Sequence, residues 1–150
     1  MILNRQRRIP LAIKPLGIFS ERVRRELGFP EESVTICFVS DPTMARMNRK
    51  FRNIEGPTDV LSFPLQRAKA RGARRLRPLK LQAQAHYIGD IVISPETARR
   101  YARRSARGLA SELRMLILHG MIHLAGYDHE QDNGEMRRLE RRLRRRLGLR

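Results

Sequence analysis

Apolar positions along the chain recur with two periods. In PLGIFSERVRREL, Leu16, Phe19, Val23 and Leu27 fall three or four apart, which lines one face of a helix, and Gly28 follows as its stop. SVTICFV alternates instead: Val34, Ile36 and Phe38 point to one side of a strand, and Thr35, Cys37 and Val39 to the other. SDPTMARMNRKF returns to helical spacing, capped by Ser40 or Asp41, with Met44, Met47 and Phe51 on the inner side. VLSFP reads as a short strand and YIGDIVIS as a longer one. SPETARRYARRSARG opens a helix with Ser94 as cap and Pro95 in first position. LASELRMLILHGMIHLAG is apolar on most sides, the mark of a buried helix. In DNGE, Asp132 and Glu135 have the spacing of a capping box. Met136, Leu139, Leu143 and Leu147 then form the seam of a last helix, 136–150, whose other faces are arginine. Helices and strands interleave irregularly, so the expected class is α+β, a mixed central β-sheet packed by helices, with α/β on a mixed sheet as the variant. No repeat or linker divides the 150 residues, and residues 1–150 are expected to form one domain with an aliphatic, tryptophan-free core.

Charge changes the picture of what the surface is for. Lysine and arginine total 32 against 15 acids, a formal net charge of +17, and 28 of the 32 are arginine. A guanidinium pairs bidentately with phosphate and stacks on bases, so a polyanionic partner is expected, with nucleic acid ahead of an acidic membrane surface. A genomic bias toward arginine is the competing source of part of the excess. Residues 66–85 read as a basic insertion between two strands. LQRAKARGARRLRPLKLQAQAH holds seven basic residues, and no acid occurs between Asp59 and Asp90. The single cysteine, Cys37, rules out a disulfide within the chain and fits a reducing cytoplasm. MILNRQRRIP has no hydrophobic core of a signal peptide, and no apolar run reaches 18 residues, so neither export nor a membrane span is expected.

The candidate chemistry sits in HGMIHLAGYDH. His119 and His123 are four apart, one turn apart on one helix face, and both can reach one ion at about 2.0–2.1 Å. Gly126 can end the helix in a left-handed turn, from which His129 returns as a third ligand. Three imidazoles leave one tetrahedral position open, the pattern of a catalytic site. Zinc suits them, though nickel or another transition ion fits the same donors. The bland reading has the histidines hydrogen-bonded within the core. The spacing matches the zinc-protease pattern H-E-x-x-H-x-x-G-x-x-H, so a zincin-like metal-binding helix is expected, except that Gly120 stands where the catalytic glutamate would be. Glycine cannot take a proton from water, which counts against a peptidase.

At this point the chain resembles a known family. HGMIHLAGYDH resembles the H-G-x-x-H-L-x-G-Y-D-H signature of the YbeY ribosomal RNA maturation factors. FRNIEGPTDVLSFP resembles that family's second signature, and GDIVIS, residues 89 to 94, its third, in the family's order. The resemblance implies a zinc-dependent, single-strand-specific endoribonuclease of the bacterial cytoplasm. It implies work in ribosomal RNA processing, notably 3′-end maturation of small-subunit rRNA, and in ribosome quality control. Single-stranded RNA, rRNA and ribosomal particles would be its partners, with ribosomal proteins or assembly factors beside them. It also implies the ligands His119, His123 and His129 and a functional arginine at Arg52. Cleaving a phosphodiester builds charge on nonbridging oxygens, which a guanidinium fork matches, so Arg52 is expected to hold the scissile phosphate in the metal cleft. Against this stands the default that Arg52 is one surface arginine among 28.

Other residues carry paired readings. Tyr127 or Asp128 would orient a histidine, or Asp128 would bond its own turn. Glu112, seven before His119, is either a carboxylate behind the site or a structural ion-pair partner, the second being preferred. Cap or turn roles suit Asp59 and Asp90, and His86 is expected to be exposed outside the cluster. Arg67 to Lys80 and Arg137 to Arg146 would bind RNA backbone without reading sequence, or else form solvated faces. Two rival functions remain: a metalloprotease of zincin type, and a non-catalytic RNA-binding ribosome-assembly factor whose ion stabilises the fold.

Overall fold

The computed structural model describes residues 1–65, 86–127 and 134–149. The basic insertion 66–85 lies outside these, as do Asp128, His129 and Asp132. In chain order the elements are β1 (Ile2–Asn4), α1 (Ile13–Glu26), β2 (Val34–Phe38), α2 (Asp41–Arg52), β3 (Val60–Pro64), β4 (Gly89–Ile93), α3 (Pro95–Arg104), α4 (Leu109–Leu124) and α5 (Glu135–Leu147). The sheet order is β1-β2-β4-β3. β1 and β4 each run parallel to β2, with Ile2 and Ile91 both opposite Ile36. β3 runs antiparallel to β4, with Leu61 opposite Val92. The sheet is therefore mixed and the fold α+β.

The strand alternation sorts the two faces as the pattern demands. Val34, Ile36, Phe38, Ile91 and Ile93 enter the main core with α1, α4 and α5. Val92 and Leu61 face the other way, with Met44 of α2 and a half-buried Cys37. α4 is the central pillar: Leu113, Ile117, Leu118 and Ile122 are fully buried or nearly so. Among the described residues, no helix is long and apolar enough to cross a membrane.

Four details differ from the sequence pattern. β1 is a strand that three residues are too few to announce; its parallel ladder to β2 holds it, with the terminal amine donating to Val34 O at 2.8 Å. Phe51 is not inward but 55 % exposed, because α2 turns that side toward the sheet edge, where the ring meets Phe63 edge-on at 5.0 Å. Helix α5 starts two residues later than a cap at Asp132 requires: its N-cap is Gly134, so Glu135 is the first helical residue and not the third of a capping box. Asp90 lies inside β4 and accepts a hydrogen bond from the Tyr87 hydroxyl, in place of a cap or turn role.

Candidate metal and phosphate cleft

The end of α2, the loop after it, β3 and the end of α4 build one cleft of ≈ 790 Å³. The end of α2 contributes Arg52, the following loop Thr58 and Asp59, and the end of α4 His119 and His123. Asn48 fixes the first junction. It is 2 % exposed, and its Nδ2 donates to Gly56 O at 2.9 Å, which ties the last turn of α2 to the loop that leads into β3. Asp59 takes its turn role there, accepting from the Val60 N–H at 2.8 Å and the Thr58 hydroxyl at 3.2 Å. Arg52 is exposed to the cleft, and none of the ion pairs among the described residues involves it.

The second junction is the end of α4. Gly126 adopts φ +95° and closes the helix as expected. Its N–H donates to His123 O at 2.9 Å, and the Tyr127 N–H to Ile122 O at 3.4 Å, the paired bonds of a Schellman stop. That stop turns the Tyr127 carbonyl back onto His123 Nδ1, at 2.9 Å. A carbonyl only accepts, so Nδ1 carries the proton and Nε2 keeps its lone pair. His123 Nε2 in turn lies 3.0 Å from His119 Nε2, with the rings nearly perpendicular at 82°. Two nitrogens bound to one ion at tetrahedral angles stand about 3.3 Å apart, so this pair fits a shared transition ion. Among the described residues no group of three metal-binding side chains occurs.

The remaining candidates fall as follows. Tyr127 acts through its backbone carbonyl. Glu112 is structural, 3.7 Å from Arg107 Nη1. His86 is exposed and outside the cleft. Cys37 lies on the α2 side of the sheet, where burial pushes its thiol up against the opposing charge of Arg5. Sequence reasoning missed Glu140 of α5, whose Oε2 lies 3.7 Å from His119 Nδ1. Its signal was present: four after Met136 and three before Leu143, it occupies the inner seam of α5.

Gly120 explains its own identity. Its carbonyl accepts a weak bond from the Ser62 hydroxyl at 3.4 Å, and a Cβ there would stand 2.9 Å from Ile91 Cγ2. Position 120 faces β4, and α4 lies too close to the sheet for a side chain.

The sequence profile of the family described as Endoribonuclease YbeY matches residues 12–148. The chain belongs to the YbeY endoribonuclease family. An Endoribonuclease YbeY of Geobacter metallireducens is 36% identical over 140 residues, 93% of this chain and 87% of that one. Its counterpart in Koribacter versatilis is 37% identical over 149 residues, 99% of this chain and 86% of that one. A Thermotoga maritima protein solved in solution shares the fold with a TM-score of 0.62 at 24% identity, covering 98% of this chain and 89% of its own. The three YbeY-like signatures converge in space: the end of α2 through β3, the end of α4, and β4, whose Ile91 receives Gly120.

Proposed function

We propose that this YbeY-family chain is a zinc-dependent endoribonuclease that cuts single-stranded RNA. Its work is ribosomal RNA processing in the cytoplasm, notably 3′-end maturation of small-subunit rRNA and ribosome quality control, on ribosomal particles and beside ribosomal proteins or assembly factors. The observation that carries this reading is the meeting of two Nε2 atoms 3.0 Å apart in the cleft that Arg52 also lines. His119 and His123 hold the ion, and His129, which lies outside the described residues, completes the set by its spacing. A zinc ion there supplies Lewis-acid polarisation of a phosphate oxygen and a lowered pKa for bound water. Arg52 grips the nonbridging oxygens with a bidentate guanidinium fork. The peptidase reading loses ground because position 120 faces Ile91, so no residue there serves as a general base.

The test is cleavage of single-stranded and duplex RNA by wild type, His123→Ala and Arg52→Glu, before and after metal removal. Wild type is expected to cut single strands only. Both variants and chelation should lower the rate by about 10²–10³-fold, in line with loss of a charge-stabilising group. The termini of the product distinguish attack by water from attack by the RNA 2′-hydroxyl. RNA binding without cleavage, or equal cleavage by all three proteins, moves the non-catalytic assembly factor to first place.

A further inference from the structure

Metal binding imposes a tautomer on His119, and that requirement points across the helix interface. His123 Nδ1 carries a proton toward Tyr127 O, so the lone pair of the neutral ring is on Nε2. His119 Nε2 lies 3.0 Å from it. With an ion, both lone pairs turn to the metal, and the proton of neutral His119 must sit on Nδ1. A carboxylate faces that nitrogen: Glu140 Oε2, at 3.7 Å, with side-chain exposures of 27% for His119 and 18% for Glu140. A small rotation closes that gap to a hydrogen bond.

The placement of Glu140 has a structural basis. α5 buries Met136, Leu143 and Leu147 against the core, and residue 140 falls on the same side of the helix. Seven arginines occupy other positions of α5, so a carboxylate on its inner side has a place distinct from the solvated face. His119 and Glu140 are 21 residues apart, and only the docking of α5 beside α4 brings them together.

We propose that Glu140 is the positioning residue of the metal site: its carboxylate accepts the His119 Nδ1 proton, holds the ring with Nε2 toward the ion, and strengthens that nitrogen as a donor. Tyr127 O does the same for His123 through the backbone. The basic C-terminal helix is then a part of the metal centre. This rests on the metal reading given above.

The experiment titrates Zn²⁺ into the metal-free full chain against a chromophoric chelator, for wild type, Glu140→Gln and Glu140→Ala, with the melting temperature of each metal-free protein as a second readout. Glu140→Gln keeps an acceptor but loses the charge, and should weaken Zn²⁺ by about tenfold. Glu140→Ala loses both, and should approach a hundredfold. Metal-free melting should stay close to wild type. Affinities within twofold of wild type in both variants overturn the proposal, as does a fall in metal-free melting that accounts for the whole loss. If wild type binds no Zn²⁺, the metal reading falls and this one with it. If wild type binds Zn²⁺ but cuts no RNA, the nuclease reading alone falls, and the ratio of affinities still decides the role of Glu140.

Discussion

A methyl group at position 120 would stand 2.9 Å from Ile91 Cγ2, 3.0 Å from Cδ1 and 3.2 Å from Cγ1, and Ile91 is 0% exposed. All three atoms belong to a side chain packed on every side, so the strain has no cheap outlet. Alanine gains up to about 1 kcal/mol over glycine in a helix, while overpacking a core costs about 1–3 kcal/mol. Gly120→Ala should therefore destabilise by up to about 2 kcal/mol in urea unfolding, and pairing it with Ile91→Val, which removes Cδ1, should recover part of the loss. A neutral or stabilising Gly120→Ala would mean that α4 and β4 can separate freely. At this scale the sequence was most legible where spacing alone fixes geometry, as for His119 and His123. It was least legible for Glu140, whose partner is set by how two helices dock. It misplaced Phe51 because helical periodicity gives a face, while the sheet edge decides how much of that face is covered.

At the scale of elements, α2 and α3 begin against each other and share their caps. The Asp41 N–H donates to Glu96 Oε2 at 2.7 Å, while the Asp41 carboxylate accepts from Thr97 Oγ1 at 2.7 Å and Arg100 Nη1 at 2.6 Å, and from the Ser94 hydroxyl. Glu96 thus supplies an acceptor to the open N-terminus of α2, Asp41 gathers side chains from the start of α3, and the pair fixes the helix that ends in Arg52. Burial of Asp41 works to raise its pKa, but the hydrogen bonds from Ser94, Thr97 and Arg100, with the charge of Arg100, outweigh it and hold the carboxyl below its usual value. A depressed folded pKa gives stability that is complete above the unfolded value of about 3.9 and is lost as pH falls through the folded one. Asp41→Asn should cost about 1–3 kcal/mol at pH 7, and the gap to wild type should shrink below about pH 4. A gap that is independent of pH would refute the role of the carboxylate charge. The Ser94 cap and Pro95 start were readable from the sequence. The exchange between Asp41 and α3 was not, since 53 residues separate Ser94 from Asp41.

At the scale of the molecule, the charge that composition announces acquires a location. α5 buries Met136, Leu143 and Leu147 and leaves Arg137, Arg138, Arg141, Arg142, Arg145 and Arg146 exposed, while Glu140 on its inner side faces His119. A polyanion lying along α5 would meet a row of guanidinium groups one turn apart. The basic insertion, the other half of the sequence's charge argument, lies outside the described residues, so α5 is the segment on which the argument can be tested. If these arginines neutralise phosphates, each contact releases condensed counterions, and the logarithm of the affinity for single strands falls by about 0.7 per contact for each unit of log salt. Replacing Arg141 and Arg145 with glutamate should weaken binding of poly-uridine and poly-adenosine alike and flatten that slope by roughly 1–1.5. Binding would be followed by fluorescence anisotropy from 50 to about 300 mM salt, at the same zinc loading for both proteins. Equal flattening on both sequences would identify α5 as a backbone track without base reading. A selective loss on one of them would assign the arginines to base recognition, and an unchanged slope would leave the excess charge to bias in the genome and place the RNA on another face.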